Sequence, residues 1–158
     1  MLSIVGRAPT PAVRRLAGQR GVEVTGRVED VRPYLADAAV YVVPLRIGGG
    51  TRLKIFEAMA AGRAVVSTSI GAEGLPTEDG RHLLLADDPV AFARAVVTLL
   101  RDADARQAIE REARALVTAR FDWANSAAHL EQALLNLRTT ADGASSLPVT
   151  SITRVTRS

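Results

Sequence analysis

Glycine, arginine, lysine and glutamate converge within residues 48–57. Gly48, Gly49 and Gly50 are followed by Thr51, Arg52, Lys54 and Glu57. A glycine run leaves its backbone N–H groups unobstructed by Cβ atoms. Where such a run opens a helix, those free groups suit a phosphate. Thr51 is placed to cap the helix. Arg52 would open it, and a cation there opposes the helix dipole unless an anion is present. Lys54, the one lysine of the chain, is a second candidate for that anion. Glu57 lies seven residues after Gly50, close to two helical turns, and so roughly 10 Å down the same side. A carboxylate there could accept hydrogen bonds from the hydroxyls of a ribose. The same spacing also reads as a surface Lys54–Glu57 pair at i,i+3, worth about 0.2–0.5 kcal/mol. Spacing puts Lys54, Ala58 and Ala61 on the face of Glu57, and turns Leu53, Phe56 and Ala60 towards a core.

These residues need a strand before them and another after. Residues 42–68 read VVPLRIGGGTRLKIFEAMAAGRAVVST. An apolar strand at 39–44 leads into the glycine loop. A helix at about 52–61 is closed by Gly62, and a second apolar strand follows at 64–68. The loop then lies at the carboxyl end of a strand, where open α/β sheets bind ligands. Along the chain, strands are expected at 2–6, 22–25, 39–44, 64–68 and 82–86. Helices are expected at about 10–19, 30–37, 52–61, 88–101, 104–119 and 123–137. Asp88 or Asp87 starts the fourth of these, with Pro89 in its first turn. The alternation predicts an α/β fold, a Rossmann-like parallel sheet with helices on both faces. Residues 1–137 read as one domain. From Arg138 the chain turns to Thr, Ser, Gly and Pro without period, so 138–158 reads as a disordered tail.

Composition narrows the classes. With 158 residues the chain suits one domain with a sizeable core. There is no cysteine, which excludes disulfides and thiolate metal sites and fits a reducing compartment. No run approaches a membrane span and no signal peptide follows Met1, which together read as a cytoplasmic protein. The net charge is only +3, and the arginines alternate with acids, as from Arg101 to Arg120. No basic stripe interleaved with aromatics exists, so nucleic acid is not the expected partner. His82 and His129 lack partners at metal spacing and read as structural. Trp123 reads as a core anchor. The glycine run matches neither the P-loop pattern nor a dinucleotide fingerprint.

The same stretch resembles the donor-binding signature of retaining glycosyltransferases of family four, whose GT-B architecture joins two Rossmann-like domains. That signature has a glutamate, seven residues, then a second glutamate followed by A-M-A-x-G-x-P-V-V. Here Glu57 is followed by Ala58, Met59, Ala60, Gly62, Val65 and Val66. The likeness extends to LSIVGRAP at 2–9, VEVTGRVEDVRPYLADAAVYVVP at 22–44, RHLLLADDPVAFARAVVTLL at 81–100 and RFDWANSAAHLEQAL at 120–134. Two positions depart from it. Gly49 stands where the first glutamate would fall, and Ala64 where proline is usual.

The resemblance implies a sugar transfer from a nucleotide diphosphate sugar to an acceptor hydroxyl, with retention and without a metal or other cofactor. Glu57 would bind the ribose, and Gly26, Arg27 and Val28 would frame the base, although Gly26 also suits an ordinary strand-to-helix turn. Gly49, Gly50, Thr51, Arg52 and Lys54 would meet the diphosphate. Glu73, in the loop Ser69–Gly74, is either a plain loop residue or a neighbour of the sugar. No general base or nucleophile can be named, so the catalytic residues stay unassigned. The acceptor, a glycan or a lipid-linked molecule, is open. In the family a strand and a G-R-x-x-x-x-K-G segment come before the residues matched here, as does an acceptor-binding domain. The resemblance therefore implies most of one half of such an enzyme, with a separate N-terminal acceptor domain as a partner. A non-catalytic nucleotide-sugar binding fragment or subunit is the alternative. A nucleotide-sugar epimerase fits the AMAAGRAVV stretch less well.

Overall fold

The computed structural model describes residues 1–48 and 52–121. Gly49, Gly50 and Thr51 lie outside the described residues. So do the expected last helix, with Trp123 and His129, and the segment 138–158. The elements run β1 (Leu2–Val5), α1 (Pro11–Leu16), β2 (Val22–Gly26), α2 (Arg32–Asp37), β3 (Val40–Val43), α3 (Leu53–Ala60), β4 (Ala64–Ser67), β5 (Leu84–Leu85), α4 (Pro89–Arg101) and α5 (Ala103–Phe121). All strand pairs are parallel, with Leu2 opposite Val22, Val40 opposite Ala64, and Val66 opposite Leu84. The fold class is the expected one, α/β with Rossmann-like parallel pairing and helices on both faces. The sheet is not continuous, however. β1 pairs with β2, and β3–β4–β5 form a separate group. Among the described residues no ladder joins β1 to β3.

β4 is the centre of the larger group. Ala64, Val65, Val66 and Ser67 are all fully buried. Alternation sends Val65 to one face, against Ile55 and Met59 of α3 and Leu83. Ala64 and Val66 go to the other face, against Leu99 of α4 and Ile109 of α5. A strand covered on both faces reads as a continuous apolar run, as this one does.

α3 ends where its sequence says it should. Gly62 has φ 70°, Arg63 N–H donates to the Ala58 carbonyl at 2.9 Å, and Gly62 N–H donates to Met59 at 3.0 Å. This is a Schellman closure, and the positive φ favours glycine. The inward face differs from expectation. Ile55, Ala58 and Met59 are buried, whereas Leu53 and Ala60 are exposed and Phe56 is half-buried. The helix begins one residue later than expected, with Arg52 at the cap position and no side-chain cap bond. The i, i+3, i+4 stripe nearest β4 is therefore Ile55-Ala58-Met59, and Ala58 does not share the exposed face of Glu57. α4 follows expectation. Asp88 accepts from the N–H groups of Val90 and Ala91, and Pro89 occupies the first turn. β5 is shorter than the predicted 82–86, because Leu83 pairs with Asp79 and Gly80 and not with β4. Gly80 N–H donates to Leu83, and the Asp79 carboxylate accepts from Leu85 N–H. His82 is buried, and its Nδ1 accepts the N–H of Glu78 at 3.0 Å, a structural role as expected.

Candidate functional site

The carboxyl ends of β3 and β4 sit side by side, and two segments leave them. The first is Pro44–Gly48, which leads into α3. The second is the turn Thr68–Gly74. Their contact is built from hydroxyls. The Thr68 Oγ1 hydroxyl donates to the Leu45 carbonyl and accepts the N–H of Gly71. Thr68 N–H donates to the Val43 carbonyl at 3.2 Å. Gly71 is required by close approach. A Cβ there would overlap the Ser67 hydroxyl and lie 3.1 Å from the Val43 carbonyl oxygen.

Arg52 joins the two segments. Its Nη2 donates to the Gly48 carbonyl at 3.2 Å and to the Ile70 carbonyl at 2.6 Å. The same nitrogen lies 3.7 Å from Glu73 Oε2. The side chain is 7% exposed, and its Nε is buried with no hydrogen-bond partner among the described residues. A buried guanidinium thus stands at the start of α3, and the carbonyls of Gly48 and Ile70 meet it there.

Lys54 and Glu57 are both exposed on α3. No ion pair joins them among the described residues, so the surface-pair reading of their spacing is not what the geometry shows. Glu57 instead lies near enough to β3 for its charge to act on Tyr41. Burial first, and the Glu57 carboxylate second, push the Tyr41 phenol above its ordinary range.

Gly26 and Arg27 line a cavity of about 410 Å³ at the end of β2, shared with Ala8, Pro9 and Arg14. Val28 is half-buried and does not line it. Sequence reasoning therefore named residues in two places. Arg52 is joined to the β4 turn, while Gly26 and Arg27 belong to the β1–β2 group. It missed the hydroxyl pair Ser67–Thr68 and the clamp from Asp87. That carboxylate accepts from Ser69 N–H at 2.8 Å and Ser69 Oγ at 2.7 Å. The signal available was the run S-T-S-x-G directly after a buried strand, a composition that commonly bonds its own backbone.

Among the described residues, no group of three or more His, Asp or Glu is placed to hold a metal ion. No helix among them is long and apolar enough to cross a membrane.

Residues 1–102 match the family described as "Glycosyl transferases group 1". The chain belongs to that family. Phosphatidyl-myo-inositol mannosyltransferase of Mycobacterium leprae (strain TN) is 35% identical over 128 residues, covering 77% of this chain and 34% of the relative. Sucrose-phosphate synthase from Thermosynechococcus elongatus superposes with TM-score 0.70 at 26% identity, over 88% of this chain and 39% of that one. Anabaena Alr3699/HepE in complex with UDP also gives 0.70, at 20% identity, over 85% of this chain and 40% of that one. The chain spans a quarter to a third of the length of the curated relatives it matches. This glycosyltransferase domain has the Rossmann-like arrangement of the GT-B enzymes.

Proposed function

We propose that this chain is the donor-binding half of a retaining glycosyltransferase of family four. It would hold a nucleotide diphosphate sugar whose sugar passes to an acceptor hydroxyl. The observation that carries this reading is the junction at the carboxyl ends of β3 and β4. There a buried guanidinium, with one nitrogen unpartnered among the described residues, stands at the start of α3, in a chain of a glycosyltransferase family. A solved neighbour in complex with UDP supports the nucleotide part of the reading. The glycine loop Gly49–Thr51 and the α3 N-terminus would take the diphosphate, with Arg52 and Lys54 adding charge. Glu57 would accept the ribose hydroxyls, and Gly26, Arg27 and Val28 would frame the base. The contribution of this half to catalysis would be to stabilise charge on the leaving diphosphate. Peptide N–H groups and two cations would supply that stabilisation, with no metal or cofactor called for. The reading places the protein in the cytoplasm, with a glycan or a lipid-linked molecule as acceptor.

One observation favours a subunit or fragment that works only with a further segment of chain. β1 and β3 each present an unpaired edge among the described residues. One strand set between them would give the order β2-β1-x-β3-β4-β5, the neighbour pattern of a doubly wound sheet. On that reading the 158 residues bind nucleotide and do not transfer sugar alone. Calorimetry with UDP, GDP and ADP, beside a radiolabelled transfer assay, tests both parts. We expect weak nucleotide binding and no turnover. Absence of binding to all three would defeat the donor-site reading, and robust turnover by this chain would defeat the half-enzyme reading.

A further inference from the structure

We propose that Glu73 is a carboxylate for the hydroxyls of the donor sugar, brought near Gly48 by Arg52. The inference rests on the donor-site reading above and adds a residue to it. Gly48 brings no side chain to the site. The structure supplies one from the neighbouring turn. Arg52 holds the carbonyls of Gly48 and Ile70 with one nitrogen, which fixes the turn against the loop. Glu73 Oε2 lies 3.7 Å from that nitrogen.

Stability does not explain the Glu73 carboxylate. Its side chain is 74% exposed, and an ion pair of that exposure and length stabilises little. No hydrogen bond reaches its oxygens among the described residues, so their lone pairs are open to donors. Sugar hydroxyls are such donors, and a carboxylate accepts several at once. The turn that carries Glu73 is braced in three ways. Thr68 bonds the Leu45 carbonyl, Gly71 is seated where no Cβ fits, and Asp87 holds Ser69. A braced turn keeps the Glu73 backbone in place without the ligand, so only the side chain must be ordered on binding.

Arg52 is a positioning residue for Glu73 in this account. Titration calorimetry on the full 158-residue chain would use two ligand pairs, UDP with UDP-glucose and GDP with GDP-mannose. For the pair that binds, Glu73→Gln should weaken the sugar nucleotide about tenfold or more, as expected for hydrogen bonds to a charged group. Affinity for the bare nucleotide should stay within about twofold, and Tm should not move, because the residue is exposed. Arg52→Lys added to Glu73→Gln should not lower the sugar-nucleotide to nucleotide ratio further. An unchanged ratio in Glu73→Gln would overturn the role of Glu73 and leave the donor site standing. A further fall in that ratio in the double variant would overturn positioning by Arg52. A wild-type chain that binds neither pair would overturn both the inference and the reading beneath it.

Discussion

β1 and β4 are strands of equal length and similar apolar character, LSIV and AVVS, yet they live in different environments. β4 has a strand on either side and apolar side chains against both faces, and all four of its residues are buried. Among the described residues β1 has a single neighbour. Its Leu2 is 45% exposed, Ser3 is exposed, and Ile4 and Val5 are half-buried. A strand's burial is set by what stands beside and over it, and its own composition cannot supply that. The site follows the same division. Arg52 and Glu73 are attached to the end of the well-covered β4. Gly26 and Arg27, proposed for the base, sit on the half-covered pair. Under the proposed donor-site reading, the diphosphate end should therefore be preorganised and the base end looser.

The largest expected effect contrasts the two regions in stability. Met59 is fully buried against Ile55, Val65 and Leu83, so Met59→Ala should cost about 2–5 kcal/mol. Leu2→Ala on β1 should cost under about 1.5 kcal/mol, since much of the side chain already meets water. Denaturant unfolding of both variants would measure the contrast, and equal costs would mean that β1 is covered in solution.

A smaller effect separates binding from folding within the well-covered region. If Glu57 accepts ribose hydroxyls, Glu57→Ala should weaken nucleotide binding by about 1.5–3 kcal/mol. Its unfolding free energy should change by less than about 0.5 kcal/mol, as for an ordinary surface substitution. Calorimetry beside thermal unfolding checks this. Wild-type affinity in the variant would return Glu57 to an ordinary surface residue.

The smallest effect concerns the clamp on the β4 turn. The Ser69 hydroxyl first, and the Ser69 N–H second, hold the Asp87 carboxyl below its ordinary value of 3.8. A group with a depressed folded-state pKa contributes its stability above the unfolded value and loses it as pH falls through the folded value. The Tm difference between wild type and Asp87→Asn should be steady from about pH 7 to about pH 5, then close as pH drops below about 4. A difference that persists at the acid end would show Asp87 acting through packing and not through charge.

Much of the fold was legible in residue patterns. VYVV and AVVS announced parallel strands, Gly62 announced the end of α3, and Asp88-Pro89 announced the start of α4. The face of α3 was misread because a helix of eight residues offers two plausible apolar stripes. Only the position of β4 selects Ile55-Ala58-Met59 over Leu53-Phe56-Ala60. The division into two strand groups was equally hidden, since alternating strands and helices state the class of a sheet and not which edges meet. Arg52 was named for its place at a helix start. That it reaches eighteen residues ahead, to the Ile70 carbonyl, no local spacing could indicate.

By itself, then, the sequence determined the β-α-β unit around the glycine loop, the closure of its helix and the chemistry available in Arg52, Lys54 and Glu57. These are local matters, governed by backbone freedom at glycine and by apolar periodicity. Tertiary structure decided which side of α3 is covered, which strands pair, and that Arg52 and Asp87 come to the turn that carries Glu73. Those contacts join residues distant in the chain, and their geometry is fixed only once β3, β4 and β5 are aligned in register.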